Sequence, residues 1–263
     1  MSDNNTKAII LAAGMGTRLR PFTNDRPKCL VEINGQSLLD SQLKTLRANS
    51  ISDITVIGGY KGHMLKNKET ELIVNEQYET TNMVYSLFCA KSKLNGECLI
   101  SYGDIVYSND ILESLLASTD DISIVIDKNW QAYWEARFSN PLDDAETLTL
   151  SNGNTITEIG KKPRSIKEIN GQYIGLMKFS SKGISQLNEL YRTLLAKGEC
   201  MGKTIESAYM TDIIQEAINA GYSVKAVPIF SEWIEVDSVS DLQNETTLSR
   251  HDVIIQREVN KTP

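Results

Sequence analysis

The stretch Leu11-Ala-Ala-Gly-Met-Gly-Thr-Arg-Leu-Arg-Pro-Phe-Thr-Asn-Asp-Arg-Pro-Lys28 decides the fold class of this chain. Its first two residues end an apolar segment, residues 7–12, that has the length and composition of a buried strand. Gly14 and Gly16 lack a Cβ atom, so the backbone can turn tightly and approach a ligand. A strand that ends in such a turn exposes backbone N–H groups that bind phosphate oxygens. The stretch therefore predicts a phosphate-binding loop at the carboxyl end of a strand.

Two cations in the same stretch suit phosphate oxygens. Arg18 offers a planar fork for bidentate binding, and Lys28 offers a point charge. The P-loop pattern G-x-x-x-x-G-K-[ST] is absent, and Leu19 stands where the third glycine of a dinucleotide fingerprint would fall. These departures argue against a P-loop enzyme and against a Rossmann oxidoreductase.

Strand and helix patterns alternate through the first half of the chain. Strands are predicted at 54–58, 71–75, 98–104 and 122–126, and helices at 38–48, 83–90 and 111–116. The second half predicts a hairpin at 147–159, strands at 173–179 and 224–230, and helices at 184–196, 210–220 and 238–248. The fold class is therefore α/β, a Rossmann-like, mostly parallel mixed sheet flanked by helices, with a small β-rich subregion in the second half. Ligands of such sheets bind beyond the carboxyl ends of the strands.

Composition excludes several functions. The 263 residues carry 27 basic and 34 acidic side chains, a net charge of −7, whereas nucleic-acid binding needs a basic face. No apolar stretch approaches the ~20 residues of a membrane span, and the four cysteines form no C-x-x-C pair. We therefore expect a cytoplasmic protein with reduced thiols, no zinc site, and no nucleic-acid or membrane partner.

Two aspartates are candidate ligands of a divalent ion. Asp104 ends the strand predicted at 98–104, and Asp237 lies between a short strand and a helix. Mg²⁺ is held in phosphoryl-transfer sites by one or two carboxylates together with substrate phosphates. Either aspartate could instead cap the helix that follows it.

The glycine-rich stretch resembles the signature G-x-G-[ST]-R-[LM]-x-P-x-T-x-x-x-P-K of the nucleoside-diphosphate-sugar pyrophosphorylase superfamily. The matching residues are Gly14, Gly16, Thr17, Arg18, Leu19, Pro21, Thr23, Pro27 and Lys28. The resemblance implies a nucleotidyltransferase of GT-A-like fold that releases pyrophosphate and uses Mg²⁺. It implies one domain over residues 1–263, with a nucleotide-binding half at about 1–126 and an acceptor-binding half at about 127–250.

Two further segments resemble the phosphocholine cytidylyltransferase-like branch. Residues 235–241 match E-x-D-[ST]-x-x-D, and residues 78–87 match Y-x-x-x-N-x-x-Y-S-L. The branch implies transfer of CMP from CTP to phosphocholine, an aminophosphonate or an amino-acid phosphate such as phosphoglutamine. The product would be a precursor of a cell-surface polysaccharide, a phospholipid or a phosphonate, and a homodimer is left open.

The resemblance assigns the reaction and the nucleotide to particular residues. It implies catalytic roles for Arg18, Lys28, Asp104 and Asp237, with Asp104 and Asp237 as the metal ligands. The nucleotide-binding residues are then Leu11, Ala12, Ala13, Gly14, Met15, Gly16, Thr17, Arg18, Lys28, Gly59, Asn82 and Gly103. Asn82 could equally cap the helix that begins near residue 83.

Acceptor binding is predicted on the other side of the site. The aromatic-rich segment 130–134 could cage a cationic group by cation–π contact, or it could simply pack in the core. Residues 158–163 resemble the superfamily's acceptor-phosphate segment E-K-P, which favours Lys162, with Lys161 as the alternative. The acceptor-binding residues are then Asn82, Tyr85, Trp130, Trp134, Glu146, Lys162, Tyr173 and Glu235.

Two other functions compete with this interpretation. The near alternative is a sugar-1-phosphate uridylyl- or thymidylyltransferase, although residues 171–175 depart from the strand that contacts the sugar in such enzymes. The second alternative is a non-catalytic nucleotide-binding regulatory subunit. Such a subunit would be expected to lose the arginine, the lysine or the aspartates, and all four are present here.

Overall fold

The computed structural model describes residues 6–66 and 69–261. The strands are β1 (Lys7–Ala12), β2 (Glu32–Ile33), β3 (Gln36–Ser37), β4 (Ile54–Gly58), β5 (Glu71–Val74), β6 (Cys98–Tyr102), β7 (Ile105–Tyr107), β8 (Ile122–Asp127), β9 (Leu148–Ser151), β10 (Thr155–Ile159), β11 (Gln172–Phe179), β12 (Val224–Ile229) and β13 (Trp233–Glu235). The helices are α1 (Leu38–Ala48), α2 (Met83–Cys89), α3 (Asn109–Leu116), α4 (Trp130–Arg137), α5 (Ser181–Lys197), α6 (Met210–Asn219), α7 (Val239–Gln243) and α8 (Glu245–Lys261). None of the helices in the described ranges is long and apolar enough to cross a membrane.

Nine strands form one mixed sheet in the order β5-β4-β1-β6-β11-β8-β12-β10-β9. Strands β5, β4, β1 and β6 run parallel, as do β8 and β12. Strand β11 pairs antiparallel with β6 on one side and β8 on the other. The predicted α/β fold class is confirmed, and strands from both halves of the chain share the sheet.

The central strands are apolar along their whole length because the sheet is covered on both faces. Strand β1 shows this: Ile9 packs into one core cluster and Ile10 into another. Neither side chain is exposed to solvent. Helix α1 covers one face, and its start is fixed by the Ser37 hydroxyl, which accepts a hydrogen bond of 3.0 Å from the Asp40 N–H.

The single helix predicted over 238–248 is wrong, since the structure has two helices there. Asn244 separates α7 from α8 because its backbone is extended, with φ −73° and ψ 122°. Its side-chain oxygen accepts hydrogen bonds from the N–H groups of Thr246 and Thr247 at 3.0 and 3.1 Å, so it caps the second helix. The strand predicted over 98–104 also ends earlier, at Tyr102, and a turn at 103–104 leads into β7.

The turn after β6 brings the two candidate metal segments together. The Gly103 N–H donates to the Leu11 carbonyl at 2.8 Å, which ties this turn to the end of β1. The Val236 N–H donates to the Asp104 carbonyl at 3.0 Å, and β7 pairs antiparallel with β13. These bonds place the residues after β13 beside the carboxyl ends of β1 and β6.

Candidate functional site

A cavity of about 340 Å³ lies at the carboxyl ends of β1 and β6. Its walls include most of the residues predicted to bind nucleotide: Leu11, Ala12, Ala13, Gly14, Gly16, Thr17, Arg18, Lys28, Asn82 and Gly103. Asp104, Glu235 and Asp237 line the same cavity. The structure therefore brings residues from four separate stretches of the chain into one site.

The glycine turn fits closely against Lys28. Gly16 has a positive φ of 58°, and a Cβ atom there would lie 2.9 Å from the Cβ atom of Lys28. The Thr23 hydroxyl donates to the Gly16 carbonyl at 2.8 Å and closes the loop. A side chain at position 16 would therefore strain the turn and displace the lysine. The loop sequence thus fixes where the Lys28 ammonium group can reach.

The Lys28 ammonium group bridges the two candidate metal ligands. Its Nζ donates to Asp104 Oδ2 at 2.6 Å and to Asp237 Oδ1 at 2.5 Å. Arg18, which is 63% exposed, forms an ion pair with Asp237 from the solvent side. The four residues predicted to be catalytic therefore form one connected charge network on the cavity wall.

The charged groups of this network shift one another's pKa values. Burial disfavours the ammonium form of Lys28, but the carboxylates of Asp104 and Asp237 outweigh burial and raise the pKa of Lys28 above its usual range. Burial raises the pKa of Glu235, and the neighbouring Arg137 partly offsets this increase. The lysine therefore stays cationic at neutral pH.

The two aspartates have the donor set of a magnesium site shared with a substrate. Both carboxylates reach one atom, Lys28 Nζ, so they are close enough to share an ion. Asp104 Oδ1 is buried and accepts no hydrogen bond. Within the described residues, no group of three or more His, Cys, Asp or Glu side chains could hold a metal. The fit is therefore to an ion that takes its other ligands from phosphate and water.

Asn82 is both a helix cap and part of the cavity wall. Its side-chain oxygen accepts from the Met83 N–H at 2.8 Å and caps α2, and the residue also lines the cavity. The cavity wall further includes Tyr78, Thr81 and Ser86, which were not predicted as site residues. Tyr78 and Ser86 belong to the Y-x-x-x-N-x-x-Y-S-L match, so that motif held the missing signal.

Tyr102 also lines the cavity without having been predicted to do so. Its ring meets that of Tyr173 edge-on, with 5.6 Å between centroids. Gly175 has a φ of 86°, and a Cβ atom there would lie 2.7 Å from the Tyr102 ring. A glycine inside a strand often marks a place where another group approaches the backbone closely. Gly175 was therefore the feature of the sequence that indicated a neighbour packed against this strand. The predicted acceptor residue Tyr173 thus lies directly behind the cavity wall.

Met15 and Gly59 were predicted to bind nucleotide but are not part of the cavity wall. Gly59 is a packing residue, because a Cβ atom there would lie 2.6 Å from the Ala13 carbonyl oxygen and 2.7 Å from Tyr78 Cβ. It allows the end of β4 to approach the glycine turn without a side chain between them. Its effect on the site is therefore indirect.

Trp130 and Trp134 lie in the core, and this corrects the expectation of a cationic cage for the acceptor. Each side chain is 4% exposed, and both are absent from the cavity wall. Their rings meet edge-on at 6.0 Å, and Trp134 also contacts Trp233 at 6.1 Å. Trp134 Nε1 donates to Asp144 Oδ2 at 3.1 Å. Ordinary packing describes this pair.

Four other predicted acceptor residues are also absent from the cavity wall: Tyr85, Glu146, Lys162 and Tyr173. Lys162 donates to the carbonyl oxygens of Leu142 and Asp143, and Lys161 pairs with Glu158, so neither lysine reaches the cavity in this conformation. Tyr85 lies on α2 and is partly exposed. Tyr173 is the ring behind Tyr102.

Glu235 makes one side of the cavity acidic, and Glu146 is a half-buried acid outside the cavity wall. Burial, reinforced by Asp212 and Asp144, raises the pKa of Glu146 to about 7. The charge of Glu146 also influences the hydroxyl groups of both Tyr102 and Tyr173. No hydrogen bond or ion pair joins its carboxylate to another side chain in the part of the chain that the structure describes. The positive charge of Lys203 lowers the pKa of Glu146 and offsets part of the effect of burial.

Residues 8–157 match the model of the MobA-like NTP transferase domain. The chain belongs to the MobA-like NTP transferase family. The matched range contains the glycine turn, Lys28, Asn82 and Asp104, whereas Glu235 and Asp237 lie beyond it. The family match therefore includes three of the four residues of the charge network, Arg18, Lys28 and Asp104. The fourth, Asp237, lies outside the matched range and is brought to the cavity by the fold.

Individual relatives of this MobA-like transferase extend the match. The CTP:phosphoglutamine cytidylyltransferase of Campylobacter jejuni is 41% identical over 247 residues, which is 90% of this chain and 97% of that protein. The choline-phosphate cytidylyltransferase of Streptococcus pneumoniae is 39% identical over 117 residues, 43% of this chain and 51% of that protein. The inositol-1-phosphate CTP transferase structure from T. maritima covers 94% of this chain and 95% of its own, with a TM-score of 0.72 and 23% identity.

These comparisons confirm the resemblance seen in the sequence. The relatives and the structural neighbour are nucleotidyltransferases, and the fold of this chain is theirs. At 23% identity the T. maritima structure supports the fold alone.

Proposed function

We propose that this MobA-like transferase is a CTP-dependent cytidylyltransferase that transfers CMP to a small phosphorylated acceptor and releases pyrophosphate. The network of Arg18, Lys28, Asp104 and Asp237 beside the glycine turn carries this proposal. Relatedness supports it, because the C. jejuni protein that uses CTP and phosphoglutamine aligns over 90% of this chain. The acceptor class we propose is a phosphate or phosphonate that also bears an amino group.

The chain supplies positioning and electrostatic stabilisation in this reaction. A phosphate oxygen of the acceptor is ionised at neutral pH, so it attacks the α-phosphorus of CTP without a general base. The new P–O bond forms as the bond between the α-phosphorus and the bridging oxygen breaks, and the electron pair leaves with pyrophosphate. Arg18 and Lys28 face the charge that moves onto the phosphate oxygens.

Asp104 and Asp237 would hold a magnesium ion in this mechanism. When bound, the ion would neutralise charge on the phosphate oxygens at the reacting phosphorus. For the ion to bind, the Lys28 ammonium group must leave its place between the two carboxylates. The triphosphate offers that ammonium group new acceptors, so nucleotide and metal would bind together.

The acidic side of the site supports an acceptor with an ammonium group. Glu235 lines the cavity, and Glu146, which lies outside the cavity wall, influences the Tyr102 hydroxyl group through its charge. A carboxylate whose pKa is raised by burial gains most from a nearby cation, because the cation offsets the cost of burying the charge. Phosphoglutamine and choline phosphate, named by the two relatives, both carry a cationic nitrogen.

Pyrophosphate release from a panel of nucleotides and acceptors tests the proposed function. Purified protein would be assayed with CTP, UTP, dTTP, ATP and GTP against phosphoglutamine, phosphocholine, 2-aminoethylphosphonate and glucose 1-phosphate. We expect release with CTP and an amino-bearing acceptor, and a CDP-linked product by mass spectrometry. Release with UTP or dTTP and glucose 1-phosphate, but not with CTP, would establish the sugar-1-phosphate alternative instead.

Replacing Glu146 with glutamine should weaken acceptor binding selectively. Loss of a charge-assisted interaction costs about 1.5–3 kcal/mol, so we expect the acceptor KM to rise about 10-fold or more while the KM for CTP is unchanged. Because the pKa of Glu146 is raised to about 7, its carboxylate takes up a proton as the pH falls below neutrality. The acceptor KM of the native protein should therefore rise toward acidic pH.

The Glu146→Gln variant also serves as the control for that pH profile. The acceptor phosphate titrates in the same range, but it does so equally in both proteins. The ratio of the two acceptor KM values should therefore be largest above pH ~7 and approach one at about pH 5. A ratio that is constant over this range would remove Glu146 from acceptor recognition.

A further inference from the structure

A buried arginine lies behind the segment that carries Asp237. Arg137 is the last residue of α4, and its side chain is fully shielded from solvent. Its guanidinium group lies 5.1 Å from the ring centroid of Tyr133, 5.6 Å from Trp134 and 5.1 Å from Phe138. The aromatic segment predicted to cage a cationic acceptor therefore cages a cation of the chain itself.

The guanidinium group ties together both sides of the candidate metal ligand. Arg137 Nη1 donates to Glu235 Oε2 at 2.7 Å, two residues before Asp237. Its Nε and Nη2 donate to the two carboxylate oxygens of Asp241 at 2.8 and 3.3 Å. The fork geometry of arginine makes this set possible, since three of its N–H groups point in fixed directions within one plane.

Asp241 passes this restraint to the backbone of the metal ligand. Its Oδ2 atom accepts from the N–H groups of Asp237 at 3.0 Å and of Ser238 at 2.9 Å. On the preceding side, the hydroxyl of Tyr133 accepts from the Glu235 N–H at 3.2 Å. Helix α4 thus holds residues 235–238 from behind, while the Asp237 side chain points into the cavity.

We propose that Arg137 is a positioning residue: through Asp241 and Glu235 it fixes the backbone at Asp237, so that this carboxylate faces Asp104 before substrate arrives. The proposal rests on the proposed function, because it assigns a role in the same nucleotidyl transfer. Phosphoryl-transfer catalysis depends on placement, and a shift of 1 Å can cost about a hundredfold in rate. A buried charge that must stay paired leaves residues 235–238 little freedom to shift.

A second arginine of the same region provides a matched control. Arg250 lies on the Tyr133 ring, 4.1 Å from its centroid, and its side chain is 13% exposed. It pairs with Asp127 at 3.5 Å and donates to the Trp233 carbonyl at 3.5 Å. No hydrogen bond or ion pair of its side chain to residues 235–241 is found in the described part of the chain. Loss of Arg250 therefore disturbs the same core without releasing the Asp237 segment.

The test compares Arg137→Gln and Asp241→Asn with Arg250→Gln in the full chain. Each variant would be measured for melting temperature, for kcat and the KM of CTP, and for Mn²⁺ binding by electron paramagnetic resonance with CTP present and no acceptor. We expect Arg137→Gln and Asp241→Asn to lower kcat about a hundredfold and to weaken Mn²⁺ binding about tenfold. The KM for CTP should change less than about threefold in all three variants, and Arg250→Gln should keep native Mn²⁺ binding.

The double variant Arg137→Gln/Asp241→Asn adds a test of the route. If Arg137 acts through Asp241, the two losses will not multiply, and the double variant will resemble the single ones. Should Arg137→Gln fail to fold, Arg137→Lys keeps the charge without the fork and should still weaken Mn²⁺ binding. Native Mn²⁺ affinity in a folded Arg137 variant, or equal loss in Arg250→Gln, would overturn the proposal. Failure of the proposed function would instead show as no nucleotidyl transfer by the native protein, and the Mn²⁺ comparison would still stand.

Discussion

Replacing Lys28 with alanine is expected to lower kcat by about two to three orders of magnitude, the usual loss when one preorganised donor is removed from a developing anion. Lys28 Nζ is placed by the Gly16 turn at the point where the two aspartates meet, and it lines the nucleotide cavity. In the proposed mechanism, the same ammonium group would face the phosphate oxygens that gain charge. Pyrophosphate release at saturating CTP, acceptor and Mg²⁺ measures the loss.

The same variant should change how the protein responds to divalent ions. Without the ammonium group, Asp104 loses its ion-pair partner and Asp237 keeps only the exposed Arg18, so repulsion between the two carboxylates destabilises the fold. Because an added divalent ion then meets no competing lysine, Mg²⁺ should raise the melting temperature of Lys28→Ala more than that of the native protein. Lys61 provides the control, since it contacts the Tyr60 ring outside the cavity. Turnover of Lys28→Ala within threefold of Lys61→Ala would exclude Lys28 from the chemistry.

Elements whose signals are local could be predicted closely from the sequence. The first strand and the first helix have the predicted ends, because an unbroken apolar run fixes the strand and Ser37 caps the helix. The break at Asn244 was missed although its signal is local, since an asparagine with an extended backbone begins a new helix. A residue that caps a new helix is thus easily overlooked when the helical spacing of apolar residues continues on both sides of it.

Features that depend on distant partners could not be predicted from composition or spacing. The aromatic segment of α4 has the composition of a cationic cage, and cation–π contacts do occur there. Which cation it holds depends on Glu235 and Asp241, about a hundred residues further along the chain. The meeting of Asp104 with Asp237 likewise follows from the pairing of β7 with β13, and only the resemblance to a family indicated it in advance.

The predicted acceptor residues show the limit of a motif match. Lys161 and Lys162 lie in a segment that resembles an acceptor-phosphate motif, yet both are turned to other partners in the structure. Tyr102 lies in no segment that was matched to a motif, and it is part of the cavity wall. A motif match therefore both included residues that face away from the cavity and omitted one that lines it.

Replacing Asp104 with asparagine is expected to reduce turnover about a thousandfold or more. The substitution preserves size but removes one of two carboxylates proposed to hold a divalent ion, and such an ion contributes several kcal/mol of transition-state stabilisation. Oδ1 of Asp104 is buried and without a hydrogen bond, whereas Oδ2 pairs with Lys28, so Oδ1 is the oxygen left for an ion. Pyrophosphate release titrated with Mg²⁺ measures the loss, and a chelator should abolish the native activity.

Asp25→Asn is the control for Asp104→Asn, because Asp25 is an exposed carboxylate that pairs with Arg26 and lies in the loop that carries Lys28, outside the cavity wall. The Asp104→Asn substitution would also leave Lys28 with one carboxylate, Asp237, so part of the loss could come from a misplaced ammonium group. The double variant Lys28→Ala/Asp104→Asn separates the two causes. If the residues act as one unit, the double variant will lose little more than the worse single variant. If instead their losses multiply, the lysine and the aspartate stabilise the reaction independently, and the contact between them belongs only to the unliganded protein.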